Sequence, residues 1–280
     1  VVARQLLARG QKVRAVVRNA HKGAALATLG AELVQPELHD RRALTALLRG
    51  VSGAYVMLPP RVDSDDLLQA ARTLCDDLAV AIAEAAVPHV VFLSSVGAHL
   101  ASGTGPILSN RYGEEAFGKT SAALSALRPP YFMENWGESL AGLAEHKLHS
   151  MLALDHAIPM IATEDIGLAA AATLLEGPRG ARVVELSGPR DYTPRDVARA
   201  LSALLGREIT PELVPNQVIP GLLTGFGMSP RNAELMREMH AGIDAGRIVH
   251  EGAVAPLRGQ LGIESVLRTL LARSGREQAA

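Results

Sequence analysis

Two spacings of apolar residues alternate along this chain. Val13-Arg14-Ala15-Val16-Val17, Ala31 to Gln35, GAYVML at 53–58, HVVFLSS at 89–95 and the start of ALSALRPPYFMENW are short apolar runs that read as buried strands. Between them the apolar residues fall three and four apart. Val2, Leu6 and Leu7 share one helical face that Gly10 closes. A second helix lies around KGAALATLG. A third carries Leu44, Leu47 and Leu48 between an Asp40 cap and Gly50. A long helix is predicted from about Ser64 to Ala86, and another around 111–123. Strand, helix, strand at this spacing predicts a parallel sheet covered on both faces. Ligands of such sheets bind at the carboxyl ends of the strands. The predicted rim is therefore Arg18, Leu58-Pro59, Ser94-Ser95 and the PPYFMEN segment.

The pattern then changes. IPMIATEDIGLAAAATLLEG reads as a short strand and a helix, and ARVVELSGP as a return to strand. Thr193-Pro194-Arg195-Asp196 starts a helix with a hydroxyl cap, a proline in the first turn and an acid at the third position; Gly206 ends it. Residues 207–280 mix helices with Gly/Pro turns. The expected fold class is α/β, a Rossmann-like doubly wound parallel sheet with a small C-terminal α+β substrate region. The expected boundaries are a dinucleotide-binding domain over 1–190 and a substrate region over 191–280, with 136–160 contributing to the pocket.

Composition narrows the function class. The chain of 280 residues is 48% hydrophobic and 20% charged, as expected of a folded core. Its 28 Lys+Arg against 29 Asp+Glu give a net charge of −1, which offers no nucleic-acid or membrane-surface footprint. No apolar run is long enough to predict a membrane span. The lone Cys75 sits in an apolar helical setting and reads as core filler, which suits a reducing, cytoplasmic compartment.

Arg18 is the most informative single residue. At the end of the second strand of a dinucleotide site, an acid accepts hydrogen bonds from the adenosine ribose, whereas an arginine fork suits a 2′-phosphate. With Asn19 next and Lys22 four residues on, the cluster favours NADP(H) over NAD(H).

Taken in order, LLARGQKVRAVVRN, GAYVMLPP, VPHVVFLSSVGA, LRPPYFMEN, EDIGLAAAATLL and VVELSGPRDYTPRDVARAL resemble the NmrA-like family, an atypical branch of the short-chain dehydrogenase/reductase superfamily, from residue 1 to about 215. The resemblance implies that a first strand and a G-x-x-G-x-x-G turn precede the helix with which this sequence opens. The chain is accordingly read as a fragment or an incomplete gene model. Without that strand, its two neighbours are expected to show bare hydrogen-bonding edges. Without the glycine turn, the pyrophosphate loses its backbone cradle. The resemblance places Arg18 and Lys22 at the 2′-phosphate and Glu37-Leu38 near adenine, although Pro36-Glu37 replace the usual Gly-Asp. It places Leu58-Pro59 as a wall beside the cofactor, Ser94-Ser95 near the nicotinamide, and Tyr131, Phe132, Glu134 and Asn135 in a segment closing over it.

The catalytic residue is left unassigned. The superfamily's Tyr-x-x-x-Lys pair would need a lysine at position 116, which is Ala; Lys119 lies two helical turns from Tyr112, about 10.5 Å away. Tyr112 reads as a pocket or packing residue. The resemblance then implies hydride transfer from NADPH to a small-molecule acceptor needing little acid catalysis, a quinone or azo compound; the alternative is a non-enzymatic NADP(H) sensor. Met133, Trp136 and residues near 139–160 are the expected walls of the acceptor pocket. In EHKLH, His146 and His149 stand three apart, but no third ligand is evident, and a solvated helix face is the expectation, with no metal bound.

Overall fold

The computed structural model describes residues 1–36, 40–60 and 64–277. The first half runs α1 (Val2–Ala8), β1 (Arg14–Val16), α2 (Ala20–Thr28), β2 (Glu32–Val34), α3 (Arg41–Leu48), β3 (Ala54–Met57), α4 (Leu67–Glu84), β4 (His89–Leu93), α5 (Leu108–Phe117) and β5 (Ala123–Arg128). After β6 (Tyr131–Phe132), a 3-10 segment over Met133–Glu145 leads to β7 (Lys147–Ser150), β8 (Ile158–Ile161), α6 (Thr163–Glu176), β9 (Arg182–Ser187) and β10 (Asp191–Tyr192). The rest is α7 (Pro194–Leu205), β11 (Thr210–Leu213), α8 (Ile219–Gly225), α9 (Pro230–Asp244), β12 (Leu257–Arg258) and α10 (Ile263–Glu277).

The main sheet has five strands in the order β12-β9-β5-β4-β3, every neighbouring pair parallel. The middle strands, HVVFL and ALSALR, are buried along almost their whole length, because helices cover both faces of a parallel sheet. Helix α5 reaches close contact through Gly113, where a Cβ would lie 2.6 Å from the Phe92 ring. Helix ends follow local chemistry. Asp40 accepts from the backbone N–H of Arg42 and Ala43, and Thr193 forms a full capping box with Asp196. Gly206 ends α7 in the left-handed region at φ 65°, which costs glycine nothing.

The expected bare edges are present. Among the described residues β1 pairs only with β2, forming a separate parallel ribbon, and β3 pairs only with β4. Val16 on β1 is 48% exposed and Met57 on β3 is 51% exposed, although both belong to strands of apolar pattern.

The apolar interior divides. One cluster lies between the main sheet and α3 and α4, around Leu44, Ile82, Phe92 and Phe117; a smaller one backs the other face through Val91, Leu127 and Ile166. The largest joins Val96 and Ile107 to Met133, Trp136, Leu148, Met160, Leu201, Ile263 and Leu267. Segment 133–162 thus packs with residues from 192 onward. The IPMI strand is not part of the main sheet. It pairs with β6 and β10 in a three-stranded sheet, and β7 pairs with β11.

Candidate functional site

The site is built where β4 and β5 end. Beyond the last ladder pair the two chains stay zipped together, Ser94 N–H donating to the Leu127 carbonyl (2.8 Å) and Val96 N–H to that of Pro129 (2.9 Å). This places Ser95 and Tyr131 in the wall of a cavity of about 170 Å³. Its polar groups are Ser95, Tyr131 and Asn135; Val96, Ile107, Met239, Ile243 and Ile248 form an apolar wall. Phe132 and the β8 pair Ile158-Pro159 close it.

The polar groups are restrained. Ser95 Oγ donates to the Val96 carbonyl at 3.0 Å. Burial, helped by the nearby Glu138 charge, pushes the Tyr131 phenol well above its ordinary pKa, and a hydrogen bond with Asn135 opposes only part of that. The phenol therefore keeps its proton at neutral pH and serves as a hydrogen-bonding group, not a base.

Ser94 is fully engaged beneath this cavity. Its hydroxyl donates to Glu114 on α5, whose carboxylate takes a two-pronged contact from Arg128 at 2.9 and 2.6 Å. Arg128 also reaches Glu251 at 2.6 Å. Glu134 is likewise committed. Its carboxylate accepts from the Thr163 backbone N–H (3.0 Å) and hydroxyl (2.6 Å), covering the open N–H groups at the start of α6.

The remaining expected residues divide by place. Leu58 and Pro59 follow β3 and are half-buried, Leu58 against the Phe92 cluster. Arg18 and Lys22 are exposed at the carboxyl end of β1 and in the first turn of α2, where Asn19 caps His21 N–H and no acid intervenes. Gln35 Nε2 donates to the Arg18 carbonyl at 3.1 Å and so fixes that turn. Glu37 and Leu38 lie outside the described residues.

Two expectations need correction. Met133 and Trp136 do not line the cavity: they are buried in the core, with Trp136 Nε1 donating to Met160 Sδ at 3.4 Å. Their places are taken by Met239 and Ile243 on α9 and by Ile248 just after it, in a region that the sequence reading left as mixed helices and turns. His146 and His149 are not on a helix face, since His146 ends the 3-10 segment in a left-handed conformation and His149 belongs to β7. His146 interacts with the Glu208 carbonyl and Arg207, and the described residues hold no cluster suited to a metal.

Tyr112 is a packing residue. Its hydroxyl donates to Asp76 on α4 at 2.8 Å, and Arg72 stacks over its ring. Tyr112→Phe is expected to cost about 1 kcal/mol of stability or less and to leave any turnover unchanged. A fall in kcat at unchanged stability would refute this. Among the described residues no helix is long and apolar enough to cross a membrane.

Known proteins of the same shape fit this picture. The chain is 26% identical to the NAD(P)H azoreductase of Xenophilus azovorans over 231 residues, covering 81% of this chain and 77% of that protein. It is 25% identical to quinone oxidoreductase 2 of Escherichia coli strain K12 over 238 residues, covering 84% and 80%. The Citrobacter triphenylmethane reductase complexed with NADP(H) superposes with a TM-score of 0.78 at 18% identity, over 96% of this chain and 95% of that one, a likeness of fold. The sequence model of the NmrA-like family matches residues 1–246, so this chain belongs to the NmrA-like family.

Proposed function

We propose that this protein is an NADPH-dependent reductase that passes hydride to a quinone-like or azo acceptor seated in the cavity between Ser95 and Ile243. The observation that carries the reading is the cavity itself: an apolar slot with few polar groups, at the carboxyl ends of parallel strands, with no residue set for proton abstraction. Relatives named as an azoreductase and a quinone oxidoreductase support the acceptor class.

The residues present fit the two ends of the cofactor. Arg18, with Lys22 a turn on, offers cations to a 2′-phosphate at the start of a helix whose first turn carries no acid. Leu58 and Pro59 would form the wall beside the cofactor. The reduced nicotinamide, when bound, supplies the hydride. The chain's own part is to hold the acceptor flat against Val96, Ile107 and Ile243, to hydrogen-bond its oxygen or nitrogen through the Asn135 amide, and to exclude water. Tyr131 keeps its proton throughout.

Removing the Arg18 fork tests the cofactor assignment. Arg18→Ala is expected to weaken NADPH roughly 10- to 100-fold, the range for a charge-assisted contact, and to leave NADH unchanged; equal losses for both would overturn it. NADPH oxidation should rise on adding menadione. Tight binding of NADPH with no turnover of quinone or azo compounds would instead support the sensor reading.

A further inference from the structure

A second cavity, of about 380 Å³, shares Ile158, Pro159, Ile243 and Ile248 with the first. The two are therefore chambers on either side of one apolar partition. Their chemistry differs. The second is lined by His156, Ser187, Asp191, His250 and Arg258.

Several of these groups have unused hydrogen-bonding capacity. Arg258 gives one N–H to the Gly188 carbonyl (3.1 Å), and among the described residues no carboxylate pairs with it. The buried His156 Nδ1 has no partner among the described residues, and no hydrogen bond there reaches Ser187 Oγ or the Asp191 carboxylate. His250 is different: its Nε2 is spent on the Leu186 carbonyl at 2.8 Å. Ser187 is buried, so a hydroxyl left without a partner there is costly unless a ligand or water satisfies it, whereas Arg258 and Asp191 are exposed and hydrated.

The wall carrying Arg258 is anchored to the sheet. Glu185 accepts the backbone N–H groups of Glu251 (2.6 Å) and Gly252 (3.3 Å), Arg128 holds the Glu251 carboxylate, and β12 pairs with β9. An exposed, permanently charged, planar fork thus stands across the β12–β9 ladder from Ser187, in a cavity that His156 also lines, which is the chemistry that recognises a carboxylate or sulfonate.

We infer that the acceptor of this protein carries an anionic arm: its flat apolar body occupies the smaller chamber while a carboxylate or sulfonate extends past Ile158 and Ile243 to Arg258, Ser187 and His156. The inference rests on the reductase reading for what happens to the occupant, but not for its binding. Asp191 stands at the same cavity as the opposing charge, and it makes the sign of the test unambiguous.

Calorimetric titration of the protein alone, without nucleotide, compares 2-naphthalenesulfonate with 2-naphthol. The sulfonate is expected to bind about tenfold tighter or more. Arg258→Gln, at an exposed site where the fold is not at stake, should abolish the difference, and Asp191→Asn should preserve or enlarge it. Equal affinities, a difference that survives Arg258→Gln, or one lost in Asp191→Asn would overturn the inference; the last would assign the cavity to a hydrogen-donating or cationic group. The reductase reading fails separately, if NADPH is bound but neither menadione nor 1,4-naphthoquinone-2-sulfonate is reduced.

Discussion

Arg128→Leu is expected to lower stability by about 3–5 kcal/mol, the cost of removing one partner from a buried ion pair. The Arg128 side chain is 6% exposed and its partner Glu114 14%. The neighbouring Glu114 carboxylate is the main cause holding the guanidinium above its ordinary pKa, with Glu251 adding to it. Once the guanidinium is gone, Glu114 keeps only the Ser94 hydroxyl. Glu251, 45% exposed, turns to water, and the segment before β12 loses one of its ties to β5. Urea unfolding followed by circular dichroism measures the loss. Replacing the group together, Ser94→Ala with Glu114→Leu and Arg128→Met, should recover most of it, because no charge or hydroxyl is then left unpaired inside. A triple variant no more stable than Arg128→Leu would show that packing, not the unpaired charge, governs this site.

The second large effect concerns the edges of β1 and β3 that carry no ladder partner among the described residues. A designed extension ahead of Val1, carrying a β-branched strand followed by a glycine-rich turn, is expected to pair with β1 on one side and β3 on the other. Each ladder hydrogen bond contributes about 0.5–1.5 kcal/mol net, so a strand bonded on both edges should raise the unfolding midpoint clearly above that of the chain without it. The added strand would cover the exposed faces near Val16 and Met57. Its glycine turn would bring backbone N–H groups to the pyrophosphate, so NADPH affinity should rise by at least about tenfold. Protection of the β1 and β3 amides in hydrogen exchange reads the pairing directly. Unchanged amide protection and unchanged NADPH affinity would together refute this pairing. An extension of the same length with proline at alternate strand positions is the control, since it cannot donate to the ladder.

Much of the sheet half was legible in the sequence. Its strands are short apolar runs because both faces are covered, and its helices announce themselves through the Asp40 cap, the Thr193 box and closing glycines. The bare edges of β1 and β3 were also foreseeable, because a parallel sheet has a fixed order of neighbours. Ends moved where context overrode pattern: α5 starts earlier than expected, after a 3-10 turn, and EHKLH became a turn and a strand. The strands β6, β7, β10, β11 and β12 are two to four residues long, too short for a period to register.

What the sequence determined by itself is local. It placed Arg18 and Lys22 at a strand-to-helix turn, denied Tyr112 a lysine partner, and set Ser94 and Ser95 just past the end of a strand. The tertiary structure decided which of those groups are free. Serine side by side with serine reads identically in sequence, yet Ser94 is consumed by Glu114 while Ser95 borders the cavity. Glu134 and Trp136 are drawn into a helix cap and the core. The two cavities, Arg258 included, are assembled from segments more than a hundred residues apart, and contacts at that separation leave no trace in any local pattern because only packing brings them together.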